Sequence, residues 1–252
     1  MQKITPPYGF QEVVPLTKTH RVVLPKEGAL PVVFRTMNPM PVSCAEFPVA
    51  GRDYPLVFIS GDEGKTFAPM LVLGFESQQN LFATPDGKWD PSAYVPAYVR
   101  RYPFCMTRVT VDGKEAPERV ACVEKRALND RGQALFDEQG KPLPDWEQRQ
   151  KLLFEYEADL ARTEEMCRRL AELKVLEPFV MQAVPNQGTP LQLTGMFRVS
   201  KEALAELDGA DLKTLLQNGI LGRIYAHLIS LDNFQRLLAR RATVTTATSP
   251  SN

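Results

Sequence analysis

The sequence predicts an α+β fold in which a proline-rich, β-containing N-terminal half packs with a helical C-terminal half. Two observations carry that expectation. Fourteen of the 21 prolines fall in residues 1–103, and proline both fixes φ and removes a backbone donor. That half must therefore be built from short strands, edges and loops. From residue 145 onward, apolar residues recur every three or four positions between charged ones, which is the period of an amphipathic helix.

In the first half, short β-branched or aromatic runs at residues 21–24 (RVVL), 32–35 (VVFR) and 56–60 (LVFIS) read as strands between breakers. Residues 70–75 form a further apolar run, its start blurred by Pro69. Residues 80–84 read as a strand entering the turn Pro85-Asp86-Gly87, because Asp-Gly tolerates positive φ. Residues 92–102 (SAYVPAYVRRY) read as a helix kept short by Pro96. Residues 104–111 and 119–124, joined through Asp112-Gly113, read as a β-hairpin. Residues 125–144 carry Asn129, Gly132, Gly140, Pro142 and Pro144 and read as a connecting loop region, with Leu135-Phe136 as its one apolar anchor.

The second half opens with the clearest element. Asp145 is placed as an N-cap and Glu147 falls in the first turn, where negative charge is favourable. Leu153, Tyr156, Leu160, Cys167 and Leu170 make a stripe, widened by Leu152, Met166 and Leu173, over about eight turns, with Pro178 ending the pattern. The breadth of the stripe points to packing within the chain; a coiled-coil dimer is the alternative, with barely three heptads to support it. After a loop at 185–190, residues 191–199 read as a strand. Ser200 caps a short helix bearing Leu204 and Leu207, and Asp211 caps another at 212–217 that stops at Asn218-Gly219. Ile220, Ile224, Leu228, Leu231, Phe234, Leu237 and Leu238 form a last helical face. The organisation is thus 1–124, 125–144, 145–241 and a polar, Thr/Ser-rich tail at 242–252 that is expected to be disordered. One integrated domain could hold all of it.

Composition narrows the functional classes. An apolar fraction of 44% with 24% charged residues suits a folded core without disulfides or metal. Thirty basic residues balance thirty acidic ones, so no overall field draws a polyanion, and no nucleic-acid partner is expected. Cys44, Cys105, Cys122 and Cys167 form no C-x-x-C pair and read as four reduced thiols in or near a core. With only His20 and His227, a histidine-rich metal site is out of reach; no metal and no cofactor are expected. The most apolar stretch, residues 68–75, is far short of the ~20 residues of a transmembrane helix. The start, MQKITPPYGF, lacks the basic, apolar and cleavage regions of a secretory signal, so a cytoplasmic location is the expectation, with signal-independent export left open.

A family becomes recognisable from short segments in fixed order. These are DYPLVF at 53–58, NLF at 80–82 with Gly87 and Trp89 downstream, YVPAYVRRYPF at 94–104, LFDEQGKP at 135–142, LTGMFRVSKEAL at 193–204 and GILGRIYAHLIS at 219–230. Together they resemble the SapC family of bacterial proteins over about residues 10–238, with YVPAYVRRYPF the most specific. The resemblance implies a surface-layer or cell-envelope context and no established reaction, cofactor or catalytic residue. A surface-layer component must be exported, which favours an accessory role inside the cell over a lattice subunit.

The candidate site is the segment 94–104. It interleaves Tyr94, Tyr98 and Tyr102 with Arg100 and Arg101, and a guanidinium offers a planar fork of donors suited to carboxylate or phosphate. Arg100 or Arg101 with Trp89, Tyr94 and Tyr98 forms the candidate ligand or partner site. The alternative is that the aromatics pack and the arginines pair with carboxylates such as Glu46 or Asp53. His227, in IYAHL, reads either as a general base or as a packed structural histidine; no nucleophile or orienting carboxylate is identifiable beside it. The Asp-Gly-Lys segments lack the carboxylate spacing of a calcium loop, and GDEGKT at 61–66 lacks the first glycine of a phosphate loop. The functional expectation is a non-enzymatic accessory or binding protein, its partner an unknown protein or a small anionic ligand. The alternatives are an enzyme with a pocket near Arg100, Arg101 and Glu46, and an exported surface-layer subunit.

Overall fold

The computed structural model describes residues 2–26, 28–111, 114–183 and 190–248. The fold is α+β, with three antiparallel β assemblies. A four-stranded sheet has the order β1-β7-β8-β2, from β1 (Gln2–Ile4), β2 (Val13–Pro15), β7 (Phe104–Val111) and β8 (Lys114–Glu124). A five-stranded sheet has the order β10-β11-β5-β6-β4, from β4 (Met40–Pro41), β5 (Leu56–Ile59), β6 (Ala68–Leu71), β10 (Leu176–Ala183) and β11 (Leu191–Val199). A ribbon pairs β3 (Arg21–Val22) with β9 (Gln133–Ala134). The helices are α1 (Phe47–Ala50), α2 (Ala97–Arg100), α3 (Pro144–Glu172), α4 (Lys201–Ala205), α5 (Gly209–Gln217), α6 (Ile220–Ser230) and α7 (Asn233–Thr248).

Helix α3 organises the interior. Its buried face holds Trp146, Leu153, Tyr156, Thr163, Met166, Cys167 and Leu170. The first two belong to a cluster with Val22, Phe104, Val123 and Leu135, and the ring of Trp146 lies 4.8 Å from that of Phe104. Tyr156, Met166, Cys167 and Leu170 join the main core, around Phe47, Leu56, Phe58 and Leu71. One helix therefore supplies apolar side chains to two clusters, and each fully buried large side chain contributes roughly 1.5–3 kcal/mol. Thr163 is a polar position inside the apolar stripe. Its hydroxyl accepts the Cys44 N–H at 2.8 Å, which fixes the short 3₁₀ segment Cys44–Glu46 against α3.

Several local expectations are corrected. Residues 32–34 form a 3₁₀ turn after Pro31, because the proline presets φ and the turn delivers Phe34 to the core. Residues 80–82 are not a strand; only Ala83 bridges to Trp89 across the turn that contains Gly87. Helix α3 has Leu143 at its N-cap position with no side-chain cap, and Pro144, the favoured N1 residue, precedes Asp145 in the first turn. The helix stops at Lys174, whose φ of 54° leaves the helical region, and not at Pro178. Pro178 lies inside β10, opposite Phe197, and an edge strand tolerates the missing donor. The stretch 125–144 is more than a loop: it contributes β9 and the core residue Ala127, beside the expected anchor Leu135-Phe136. Asp208, not Asp211, caps α5 by accepting the Asp211 N–H at 2.7 Å. The last apolar face is split between α6 and α7, and α7 runs to Thr248, into the segment read as a tail, since no glycine or proline interrupts residues 242–248. The hairpin turn Asp112-Gly113 and residues 185–189 lie outside the described residues.

Candidate functional site

The segment before α2 is held by one buried carboxylate. Glu46, 6% exposed, accepts the Ala97 N–H at 2.7 Å and the Tyr94 hydroxyl at 3.0 Å on Oε1. Its Oε2 accepts the Ser43 N–H and hydroxyl, both at 3.1 Å. Pro96 precedes α2 without a side-chain cap, so Glu46 satisfies the first helical N–H from elsewhere in the chain. Asp53 adds a second tether, its Oδ2 accepting the Tyr94 N–H at 2.8 Å.

The two adjacent arginines diverge from this anchor. Arg100 is exposed; its Nη2 donates to the Tyr94 hydroxyl at 2.9 Å and its Nε to the Val95 carbonyl at 3.1 Å. The Tyr94 phenol thus stands between Arg100 and Glu46, and burial, helped by Glu46, pushes its pKa up to about 12. Arg101 turns inward. It is 5% exposed, with its guanidinium carbon 4.2 Å from the Tyr98 ring, 4.7 Å from Tyr156 and 5.5 Å from Phe10. Its nearest carboxylate is Glu157, at 4.0 Å, and Glu157 also meets Arg119 at 2.5 Å. Stacked between aromatic faces, this cation is stabilised by ring quadrupoles where water cannot reach.

Trp89 occupies a third environment. Its Nε1 donates to the Tyr54 hydroxyl at 3.0 Å and its ring stacks on Phe82 at 6.3 Å. The six residues singled out from the sequence therefore divide into an anchored group of Glu46, Tyr94 and Arg100, an interior pair of Arg101 and Tyr98, and Trp89, which reaches the Tyr94 backbone only through the Tyr54 hydroxyl. His227 is fully engaged as well. Val199 donates its N–H to Nε2 at 3.1 Å, which leaves Nδ1 to donate to the Leu56 carbonyl at 3.0 Å. In the GDEGKT loop, Asp62 itself accepts the Lys65 and Thr66 N–H groups, so the turn is closed by its own side chain.

Cavities open both beside this segment and away from it. One of about 750 Å³ lies between α4, α5 and α6 and is lined by Leu212, Leu216, Leu221, Tyr225, Leu228 and Ile229 among others, with Lys201, Lys213 and Asp232 as its charged members. Leu216, Tyr225 and Ile229 are 65%, 53% and 68% exposed. A cleft of about 370 Å³ is lined by Arg100, Asp145, Gln148, Arg149 and Leu152. Arg149 was missed in the sequence because it sits on the polar face of α3; its only signal is a basic residue one turn inside a helix start. The apolar groove was legible in principle: Tyr225 and Ile229 form a second i, i+4 apolar row beside the Ile220–Ile224–Leu228 stripe. Among the described residues, no helix is long and apolar enough to cross a membrane.

A family model described as SapC matches residues 18–237 of the chain. The chain belongs to the SapC family. No curated protein and no solved structure matches it. In this SapC-family chain, segments far apart in sequence converge: Tyr54 packs edge-on against Phe82 at 4.6 Å, receives the Trp89 bond, and donates to the Tyr94 carbonyl. Three of the segments that carried the SapC resemblance thus meet in one aromatic cluster, and the part of the match around residues 94–104 builds the Glu46-anchored turn beside it.

Proposed function

We propose that this SapC-family protein is an accessory binding protein of a bacterial surface-layer or envelope system, and that its apolar groove between α4, α5 and α6 receives an amphipathic helix of a partner protein. The observation that carries the reading is the concentration of exposed Leu216, Tyr225 and Ile229 on one concave surface. Exposed apolar side chains gathered in a groove are the recognition surface of helix-in-groove binding, read by anchors at i, i+3/i+4 and i+7. Charge sets the partner's composition. Lys201 and Lys213 line the groove without a carboxylate within salt-bridge reach among the described residues, so acidic residues flanking the apolar face of the partner helix complement them. A binding role also suits the lining itself, where apolar side chains outnumber the three charged ones.

The test uses a synthetic helical peptide with leucines at i, i+4 and i+7 flanked by glutamates, against the same peptide with lysines. The acidic peptide is expected to bind saturably and to shift the amide NMR signals of α4–α6. Tyr225→Ser with Ile229→Ser should weaken it at least tenfold while far-UV circular dichroism is unchanged, and Lys213→Glu should reverse the charge preference. Equal affinity for both peptides, or a homodimer in sedimentation that Ile229→Ser dissolves, overturns the reading. The accessory role places the protein in the cytoplasm; its appearance in the surface-layer fraction on cell fractionation would count instead for a lattice subunit.

A further inference from the structure

We propose that the cleft between α2 and the first turns of α3 is an oxyanion site, in which Arg100 and Arg149 together hold a carboxylate or a phosphate monoester. The argument is independent of the apolar groove. Two guanidinium groups from distant parts of the chain line one cleft of about 370 Å³, with the Gln148 side chain beside them. Neither has a carboxylate within 4.0 Å among the described residues, whereas Arg169 meets Asp211, Arg198 meets Glu177 and Arg240 meets Asp90. Arg100 uses Nε and Nη2 on neutral oxygens, those of Val95 and Tyr94, which orient the side chain without neutralising it.

Arg149 adds a second reason. It is half-buried, and the loss of hydration pulls its pKa below the ordinary guanidinium range, with Asp145 opposing. A partly dehydrated cation without a hydrogen-bonded counter-ion is a group that gains from an incoming anion. Asp145 is the one carboxylate in the cleft, and its Oδ2 is taken by the Gln133 amide at 2.6 Å. Two positive groups against one engaged negative leave the cleft net positive. The planar forks of two arginines suit the paired oxygens of a carboxylate or phosphate, and the cleft lies at the positive end of the 29-residue helix α3.

Titration calorimetry of the full chain at low ionic strength with three probes tests this: inorganic phosphate, acetate, and a short peptide ending in a free carboxylate. At least one probe is expected to bind saturably and to weaken as salt is added. Arg149→Gln should reduce its affinity by roughly tenfold or more, as should Arg100→Gln, the loss expected for one charge-assisted contact. Should Arg149→Gln fail to fold, Arg149→Lys keeps the charge and removes the fork, and a clear loss of affinity is still expected. Lys65→Gln, on a remote exposed loop, should bind as the unaltered protein does. Preference for phosphate identifies a phosphate monoester as the ligand group, and preference for acetate and the peptide identifies a carboxylate. The proposal is overturned if no probe binds saturably, or if Arg149→Gln and Arg149→Lys both bind as tightly as the unaltered chain.

Discussion

Val199 gives its backbone N–H to Nε2 of His227, at 3.1 Å, between β11 and α6. Because the other ring nitrogen faces the Leu56 carbonyl, the imidazole is held neutral in one tautomer. Burial pulls its pKa down to about 4, whereas an unfolded chain has a value near 6.5. Between those values the unfolded state binds a proton that the folded state refuses, so stability falls as pH drops through this window. The loss from this residue is on the order of 3 kcal/mol once pH reaches about 4. Urea unfolding at several pH values, compared with His227→Gln, measures it; equal slopes in the two proteins would sink the assignment.

Glu46 should be a principal stability determinant of the N-terminal half. Its four hydrogen bonds come from Ser43, Tyr94 and Ala97; three are buried and the one from the Tyr94 hydroxyl is part-buried. In Glu46→Gln, one of the two oxygens becomes an NH₂ group facing a donor, and a loss of about 1–3 kcal/mol follows. Glu46→Ala leaves the Ala97 N–H unsatisfied and should lose more, while Tyr94→Phe removes one hydrogen bond and costs about 1 kcal/mol. Chemical denaturation ranks the three; Glu46→Ala milder than Tyr94→Phe would contradict the clamp.

What the sequence made legible, and what it did not, follows from the range of each interaction. The hairpin of β7 and β8 and the helix α3 depend on periodicity within one segment, and both form along the stretches that the pattern marked, with ends that differ by a few residues. Val32–Phe34 did not form a strand, because three β-branched or aromatic residues after a proline lack a partner strand and Phe34 is drawn into the core. Strand β10 was hidden by Pro178, whose meaning changes from a stop to an edge position only once β11 lies beside it. In the candidate segment the sequence shows the side chains but not where each one points. Adjacent in sequence, Arg100 is exposed and Arg101 is buried, and the rings that enclose Arg101 are those of Tyr98, Tyr156 and Phe10, residues spread over the chain.

The cysteines should be silent in the folded protein. All four are free and buried, and Cys105 faces Cys122 across β7 and β8. Burial pushes the pKa of Cys105 and Cys167 up to about 12 and that of Cys122 to about 11, so at pH 8 these three carry almost no thiolate, the reactive form. Labelling with an aromatic disulfide reagent is expected to be slow in buffer and complete within seconds in denaturant. Fast reaction of Cys105 or Cys122 under native conditions would show that the β7–β8 pair opens on its own.

Helix α3 couples the two apolar clusters, and the two tryptophans report on them separately. Trp89 sits in the main core and Trp146 in the second cluster, so Trp146→Phe and Trp89→Phe each leave a single reporter. If α3 ties the clusters together, the fluorescence transition of either variant coincides with the loss of helical circular dichroism. A sharper consequence concerns Leu153, which is buried in the second cluster. In the Trp146→Phe background, Leu153→Ala should destabilise the protein by about 2–4 kcal/mol as reported by Trp89, although Leu153 lies outside the core that contains that ring. A Trp89 transition that ignores Leu153→Ala would mean that the helix frays between Leu153 and Tyr156, and that the two clusters unfold as separate units.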